Sequence, residues 1–465
     1  MRSRRHLAKP AGPARFMTQA TPSATAPTWR QRGLFFSVLA VIATPALLLY
    51  IAGRQLGKRP LVGLANKLFG TLSESSLSTD LSKKRPLLIH GVSLGETALM
   101  RPLVPRLEAE FDCPCLLTTT TETGWQGLEK SFPHHPRTFL PFDVPWAVER
   151  FLSLTKPRAV ILLEAEFWPV LLCACARRGI PVVLVNARVS PRSFARFLHL
   201  RPLVSPLFAA YAAAIAQNGL YAARLRAIGC HVAVPAGSLK ADMVRLADAP
   251  RIAAEGARTG LQAGRPVLLI ASTSAGEEAI ILAAWSRRDW RIIIAPRHPE
   301  RGPELEKLCA KHGYHGVRSS TGATLSNPTS NDLTDVLIVD EIGRLGDLYG
   351  WCAQANGIAI VGGGLGSGRG GQNMLEAAAA RCATVVGWDT RSQPDSMHLL
   401  RACGGVVESS PTSLADDLRA LATDPARRNS LGEAGHRAWQ AGQGATGRVI
   451  RLITAALLAQ RSKQS

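Results

Sequence analysis

RPLLIHGVSLGETALMRPLVPRLEAEF, residues 85–111, reads as one strand, one loop and one helix. The apolar run PLLIHG has the length and Leu/Ile content of a buried strand, and MRPLVPRLEAEF places Leu at helical spacing. The same alternation recurs downstream. CLLTTTT, RAVILLE and IPVVLVNA each precede a loop and an amphipathic segment. A second series starts near Arg265 with RPVLLIAS, WRIIIAPRH, DVLIVDE, GIAIVGGG and CATVVGW. Strands interleaved with helices imply βαβ units and a parallel sheet, here twice. The expected fold is α/β with two Rossmann-like domains, 85–235 and 263–446, joined by a polar, Ala/Gly-rich linker at 236–262. The apolar stretch at 447–465 is a candidate helix for packing back on the first domain.

The chain has 465 residues, enough for two domains of ordinary size, and 46% of them are hydrophobic. Lys and Arg number 55 against 34 Asp and Glu, a net charge of +21. Such an excess points to anionic surroundings. Because no nucleic-acid module accompanies it, an anionic membrane surface or a phosphorylated substrate is expected and nucleic acid is not. The nine Cys include two Cys-x-Cys pairs in apolar runs, without zinc spacing, and read as buried thiols.

Residues 1–32 form a basic arm expected to be disordered. GLFFSVLAVIATPALLLYIAG, 33–53, has no charge and about the length that crosses a bilayer's hydrocarbon core. It reads as a single N-terminal membrane-anchor helix, followed by a linker at 54–84. Basic residues flank both ends, so the charge rule leaves the orientation open, and the start codon, Met1 or Met17, stays open too.

Ligands of parallel sheets bind beyond the C-terminal ends of the strands. In the second domain those tips carry Ser272 and Thr273, then Arg297 and His298, then a Gly-rich turn that reaches Gly371, Asn373 and Glu376. Free backbone N–H groups, helix starts and an Arg suit an anion. Capping boxes at Ser274/Glu277 and Asn373/Glu376 are the plainer reading of each loop taken singly. Gly366-x-Gly368-x-x-Gly371 matches a dinucleotide fingerprint, but in so Gly-rich a segment the match carries little. In the first domain the tips carry Ser93, Gly95 and Glu96, then Thr120, then Glu164 and Glu166, then Asn186 and Arg188. A strand-tip carboxylate can act as a general base. It can equally cap a helix, and Ser93-x-x-Glu96 is well formed for that. The Asp-x-Asp pair, the G-x-S-x-G elbow and the Walker A sequence are all missing. A two-domain, nucleotide-binding architecture of the GT-B glycosyltransferase type remains, with no metal or other cofactor expected.

HGVSLGE, TTTTETGW, PFDVPWAVERFL, ILLEAEFWP, GIPVVLVNARVSPRS, GSLKAD, ASTSAGEE, PRHPER, VDEIGRLGDLYGWC and GGQNMLEAAA occur in this order. The series resembles the 3-deoxy-D-manno-octulosonic acid (Kdo) transferases from roughly residue 33 to the C-terminus. The resemblance implies inverting transfer of Kdo from CMP-Kdo to a lipid A precursor at the inner (cytoplasmic) membrane, with the catalytic domains facing the cytoplasm. It makes Glu96 the general base and Glu164 a second acidic group near the reaction centre. Ser272, Thr273, Arg297, His298, Gly371, Asn373 and Glu376 fall on the donor side. Ser93, Gly95, Thr120, Asn186, Arg188 and Lys240 fall on the acceptor side or the cleft.

Departures cluster in the nucleotide half. Ser274 and Gln372 stand where the family usually has His, Met374 replaces a Pro, and Trp388–Pro394 differ from the usual run. A GT-B enzyme with another nucleotide-sugar donor, or a membrane-anchored lipid-binding homologue without activity, are the alternatives these changes leave.

Overall fold

The computed structural model describes residues 29–56, 61–73, 84–259, 265–322, 335–366 and 368–462. The basic arm before Trp29 lies outside the described residues. The chain divides into two compact units, residues 1–243 with 444–465, and residues 244–443.

In the first unit, β1 (Leu87–His90), β2 (Cys115–Thr119), β3 (Arg137–Phe139), β4 (Ala159–Leu163), β5 (Val182–Ala187), β6 (Tyr211–Ala216) and β7 (Ala233–Pro235) form one parallel sheet in the order β3-β2-β1-β4-β5-β6-β7. Successive strand residues face opposite sides, and the core divides accordingly. Leu88, Leu116, Val160, Leu162 and Leu184 belong to one buried cluster, while Leu87, Ile89, Leu117, Ile161 and Val183 belong to the other. The helix Ala445–Arg461 returns to this unit and buries Ala445, Val449, Ile453 and Leu457 in the second cluster, at the spacing of one helical face.

In the second unit, β8 (Val267–Thr273), β9 (Arg291–Pro296), β10 (His315–Arg318), β11 (Asp335–Ile338), β12 (Ile358–Val361), β13 (Ala383–Gly387) and β14 (Val407–Ser409) are also all parallel, in the order β10-β11-β9-β8-β12-β13-β14. Its chain order is not a plain repeat of the first sheet, because β10 takes the edge beyond β11. The stretch expected as a linker, 236–262, contains the helices Leu239–Met243 and Ala249–Thr259. The other expected linker, 54–84, contains the helix Leu64–Phe69.

The segment expected as an anchor lies within a helix of 28 residues, Trp29–Leu56. Among the described residues, no helix is long and apolar enough to cross a membrane. One side of Trp29–Leu56 rests on the first unit. Trp29, Phe36 and Ala40 pack on its core, and Gly33 sits so close to Arg177 and Cys173 that a Cβ there would overlap the guanidinium. Its other side leaves Leu34, Phe35, Val38, Val41 and Ile42 exposed.

Candidate functional site

Each unit gathers polar side chains at the C-terminal ends of its strands. In the first unit, β1 ends at His90 and the chain turns into the short helix Leu94–Ala98, with Ser93 as its cap. Glu96 Oε2 accepts the Ser93 backbone N–H at 2.8 Å, so the cap foreseen for this carboxylate is formed. Gly91 permits the tight turn, since a Cβ there would stand 3.1 Å from Glu96. Three threonines, Thr119, Thr120 and Thr121, direct hydroxyls at the Val92 carbonyl from β2's end. Gly124 lets that loop approach; a Cβ there would meet Thr119 Oγ1 at 2.1 Å.

Two further site residues occupy backbone conformations that L side chains rarely adopt. Glu164, just after β4, has φ 66°, and Asn186, within β5, has φ 53°. Such strain persists only where the surroundings enforce it, and it concentrates at functional positions. The surroundings here are explicit. Arg188 Nε lies 2.9 Å from Glu164 Oε2, and Asn186 Nδ2 donates to Glu164 Oε1 at 3.4 Å. The Leu239 backbone N–H donates to Asn186 Oδ1 at 3.1 Å, which places the neighbouring Lys240 beside this group. Burial pushes the Glu96 carboxyl above its ordinary range, and the Glu164 charge adds to the rise; the Ser93 N–H and Arg188 act the other way. Glu166 is pushed up to about 7, first by burial and then by Glu96 and Glu164, against the pull of Trp168.

In the second unit the tips of β8, β9 and β12 carry the expected donor-side residues. Ser272 has φ 53°, a third left-handed residue at a strand tip. The buried hydroxyls of Thr273 and Ser274 have no hydrogen-bond partner among the described residues, so both are available to a ligand. Arg297 is exposed, and its backbone N–H donates to the Thr273 carbonyl at 2.9 Å. His298 sits beside Glu300 at 3.4 Å. Asn373 Nδ2 donates to Glu376 Oε1 at 2.9 Å, a side-chain pair in place of the expected capping box. Burial raises the Glu376 carboxyl, while Asn373 and the Arg297 charge oppose the rise. The Gly371 N–H closes the Gly-rich turn on the Gly363 carbonyl at 2.9 Å.

The sequence reading missed what holds these loops. Glu277, taken there only as a cap partner, is buried and accepts three backbone N–H groups: Ser274 at 2.8 Å, Gly363 at 2.7 Å and Leu365 at 2.8 Å. It ties the β8 tip to the Gly-rich turn. In the first unit Asp143 does the corresponding work, accepting the Val170 and Leu171 N–H groups at 2.9 Å at the start of the helix Pro169–Arg177. His90, the last residue of β1, is fully buried beside Glu166. An acid four residues after the end of β8, at the start of the next helix, is the one local signal that could have marked Glu277. Among the described residues, no group of three or more His, Cys, Asp or Glu side chains is arranged to hold a metal ion.

Residues 66–243 match the family described as 3-deoxy-D-manno-octulosonic-acid transferase. A 3-deoxy-D-manno-octulosonic acid transferase of Bordetella pertussis is 35% identical over 382 residues, which cover 78% of this chain and 86% of the relative. Another from Haemophilus influenzae is 29% identical over 378 residues, 79% of this chain and 86% of that one. A solved glycosyltransferase from Rickettsia africae covers 81% of this chain and 98% of its own, at 9% identity and a TM-score of 0.52, which shows likeness of fold alone.

Proposed function

Because the chain belongs to the Kdo transferase family of glycosyltransferases, we propose that it moves Kdo from CMP-Kdo to a lipid A precursor. The displacement inverts the anomeric centre and uses Glu96 as general base. One observation carries this reading. Glu96 is a half-buried carboxylate with one oxygen committed to the Ser93 N–H, and burial raises its affinity for a proton. A base is most effective when its pKa approaches the working pH.

The acceptor hydroxyl oxygen bonds to the anomeric carbon while its proton passes to the Glu96 carboxylate. The bond from that carbon to the phosphate oxygen breaks, and its electron pair leaves with CMP. Negative charge grows on the departing phosphate. The Arg297 guanidinium and the groups at the β8 and β12 tips are suited to stabilise that charge. Thr273, Ser274, Asn373 and Glu376 orient the nucleotide, and Arg188 pairs with Glu164 and holds it in place.

A lipid-borne acceptor is supported by the exposed Leu34, Phe35, Val38, Val41 and Ile42 on the helix Trp29–Leu56. Their burial in the outer part of an anionic bilayer, aided by the +21 charge, holds the enzyme at the cytoplasmic face of the inner membrane.

The test combines purified enzyme, CMP-Kdo made in situ and a tetraacylated lipid A precursor, read by mass spectrometry. Wild type is expected to give a Kdo adduct and Glu96→Gln almost none. No adduct under conditions that sustain a control transferase overturns the reading. Preferential thermal stabilisation by UDP or ADP over CMP reassigns the donor.

A further inference from the structure

Glu166 is left without a role by the reaction above, yet it stands within the same group of side chains. The tautomer of its neighbour His90 decides what it does. Thr118 Oγ1 has one hydrogen, which it donates to the Ile89 carbonyl at 3.2 Å. Toward His90 Nδ1, at 3.0 Å, it can therefore only accept. Nδ1 carries the ring proton, and Nε2 presents a lone pair. Burial holds the His90 pKa down at about 3, so the ring is neutral throughout the working range. Nε2 has no hydrogen-bond partner among the described residues. The polar atom facing it is Glu166 Oε2, 3.8 Å away, and the Trp168 ring packs edge-on against the imidazole with centroids 5.5 Å apart.

A lone pair aimed at an ionised carboxylate is a repulsion; aimed at a carboxylic acid across 3.8 Å it is an attraction to the O–H. The charges nearby lead the same way. Glu96 and Glu164 face Glu166, and Arg188 is already paired with Glu164. The Trp168 Nε1–H donates to Glu166 Oε2 at 2.6 Å, and the Tyr211 hydroxyl donates to the Glu166 backbone carbonyl at 2.8 Å, so neither brings a countercharge.

We propose that Glu166 is a positioning residue that works as a neutral carboxylic acid, its O–H directed at the His90 Nε2 lone pair, and so holds the strand tip that carries Glu164 beside Glu96. The inference rests on the transfer reaction read above. Ionising Glu166 turns its attraction to the His90 lone pair into a repulsion, adds a third negative charge to the group and displaces the tip. Transfer therefore requires Glu96 ionised and Glu166 protonated, which gives a rate profile with a rising and a falling limb. The falling limb belongs to Glu166.

The experiment compares full-length wild type, Glu166→Ala and Glu166→Gln in the transfer assay between about pH 5.5 and 9. Glu166→Ala is expected to lose about tenfold or more in kcat, and Glu166→Gln, whose amide N–H replaces the carboxyl O–H, to recover most of that loss without the falling limb. A Gln variant as inactive as the Ala variant, or one that keeps the wild-type falling limb, overturns the proposal. So does an Ala variant as active as wild type. Infrared difference spectra of wild type against Glu166→Gln give a readout independent of turnover. A protonated-carboxyl stretch present in wild type at about pH 6 and gone by about pH 9 is expected. Its absence overturns the proposal. Should no variant transfer Kdo, wild type included, the transfer reading fails while the infrared band still decides the state of Glu166.

Discussion

The two strand-tip sites solve different physical problems with different residues. The first unit crowds three carboxylates, Glu96, Glu164 and Glu166, into a partly buried group with one paired Arg, and the result is raised proton affinity at Glu96 and Glu166. The second unit keeps its tips rich in Gly and small hydroxyls and buries a carboxylate, Glu277, as a fastener for backbone N–H groups. In the first, acids are left to crowd one another. In the second, an acid is spent on shaping a loop. The same side chain thus takes its role from whether its oxygens are saturated by the backbone. Glu96 has one oxygen so engaged; Glu277 has both.

The largest effect expected from this contrast is on rate. Glu96→Gln keeps an oxygen to accept the Ser93 N–H, because Gln serves in a capping box as Glu does. Transfer should fall by about 10²–10⁴ while the urea midpoint barely moves. A large stability loss with proportionate activity would return Glu96 to the status of a cap. Glu277→Ala should behave in the opposite way. It strands three buried backbone donors, each costing about 1–3 kcal/mol. Urea unfolding should show a loss of about 3 kcal/mol or more, together with weakened nucleotide stabilisation.

Stability against pH offers a third contrast. The folded pKa of Glu166 is raised to about 7 from an ordinary 4.5, so between those values the folded chain binds more protons at this group than the unfolded chain. Stability must therefore fall as pH rises across that window. Glu166→Gln should flatten that slope in thermal melts; an unchanged slope would assign it to other groups. The smallest effects come from glycines. Gly124→Ala drives a Cβ to 2.1 Å from Thr119 Oγ1 and should cost about 1–3 kcal/mol. At Gly95 the nearest atom to an added Cβ is 3.9 Å away, and the residue is helical. Gly95→Ala should stabilise by about 0.5–1 kcal/mol, and any loss of transfer there measures a need for open space over the site.

Much of the fold was legible because long apolar runs of Leu, Ile and Val announce buried parallel strands. β3, β6, β7, β10 and β14 escaped for identifiable reasons. β3, β7 and β14 have three residues each, β10 reads HGVR, and β6 reads YAAAIA, where Ala suits a helix equally well. Strands of this kind are made by the neighbours they pair with, not by their own composition. The site was legible to the extent that strand tips are where parallel sheets bind ligands, which brought Glu96, Glu164, Asn186, Ser272 and Arg297 into view. The fastening role of Glu277 beyond its cap, and the roles of Asp143 and His90, stayed hidden, since their partners lie far off in sequence: Gly363 and Leu365 for Glu277, Val170 and Leu171 for Asp143, and Thr118 and Glu166 for His90.

Alternation of period and the ordered motifs, properties of neighbours along the chain, were enough to determine two parallel α/β units and membership among Kdo transferases. Whether Glu96 is a cap or a base was beyond that reach, for the spacing Ser93-x-x-Glu96 satisfies both. Tertiary structure decided that the cap is formed and also that the carboxylate is half-withdrawn from water beside two more acids. Burial and the sum of nearby charges set a proton affinity, and both depend on which distant strands end side by side.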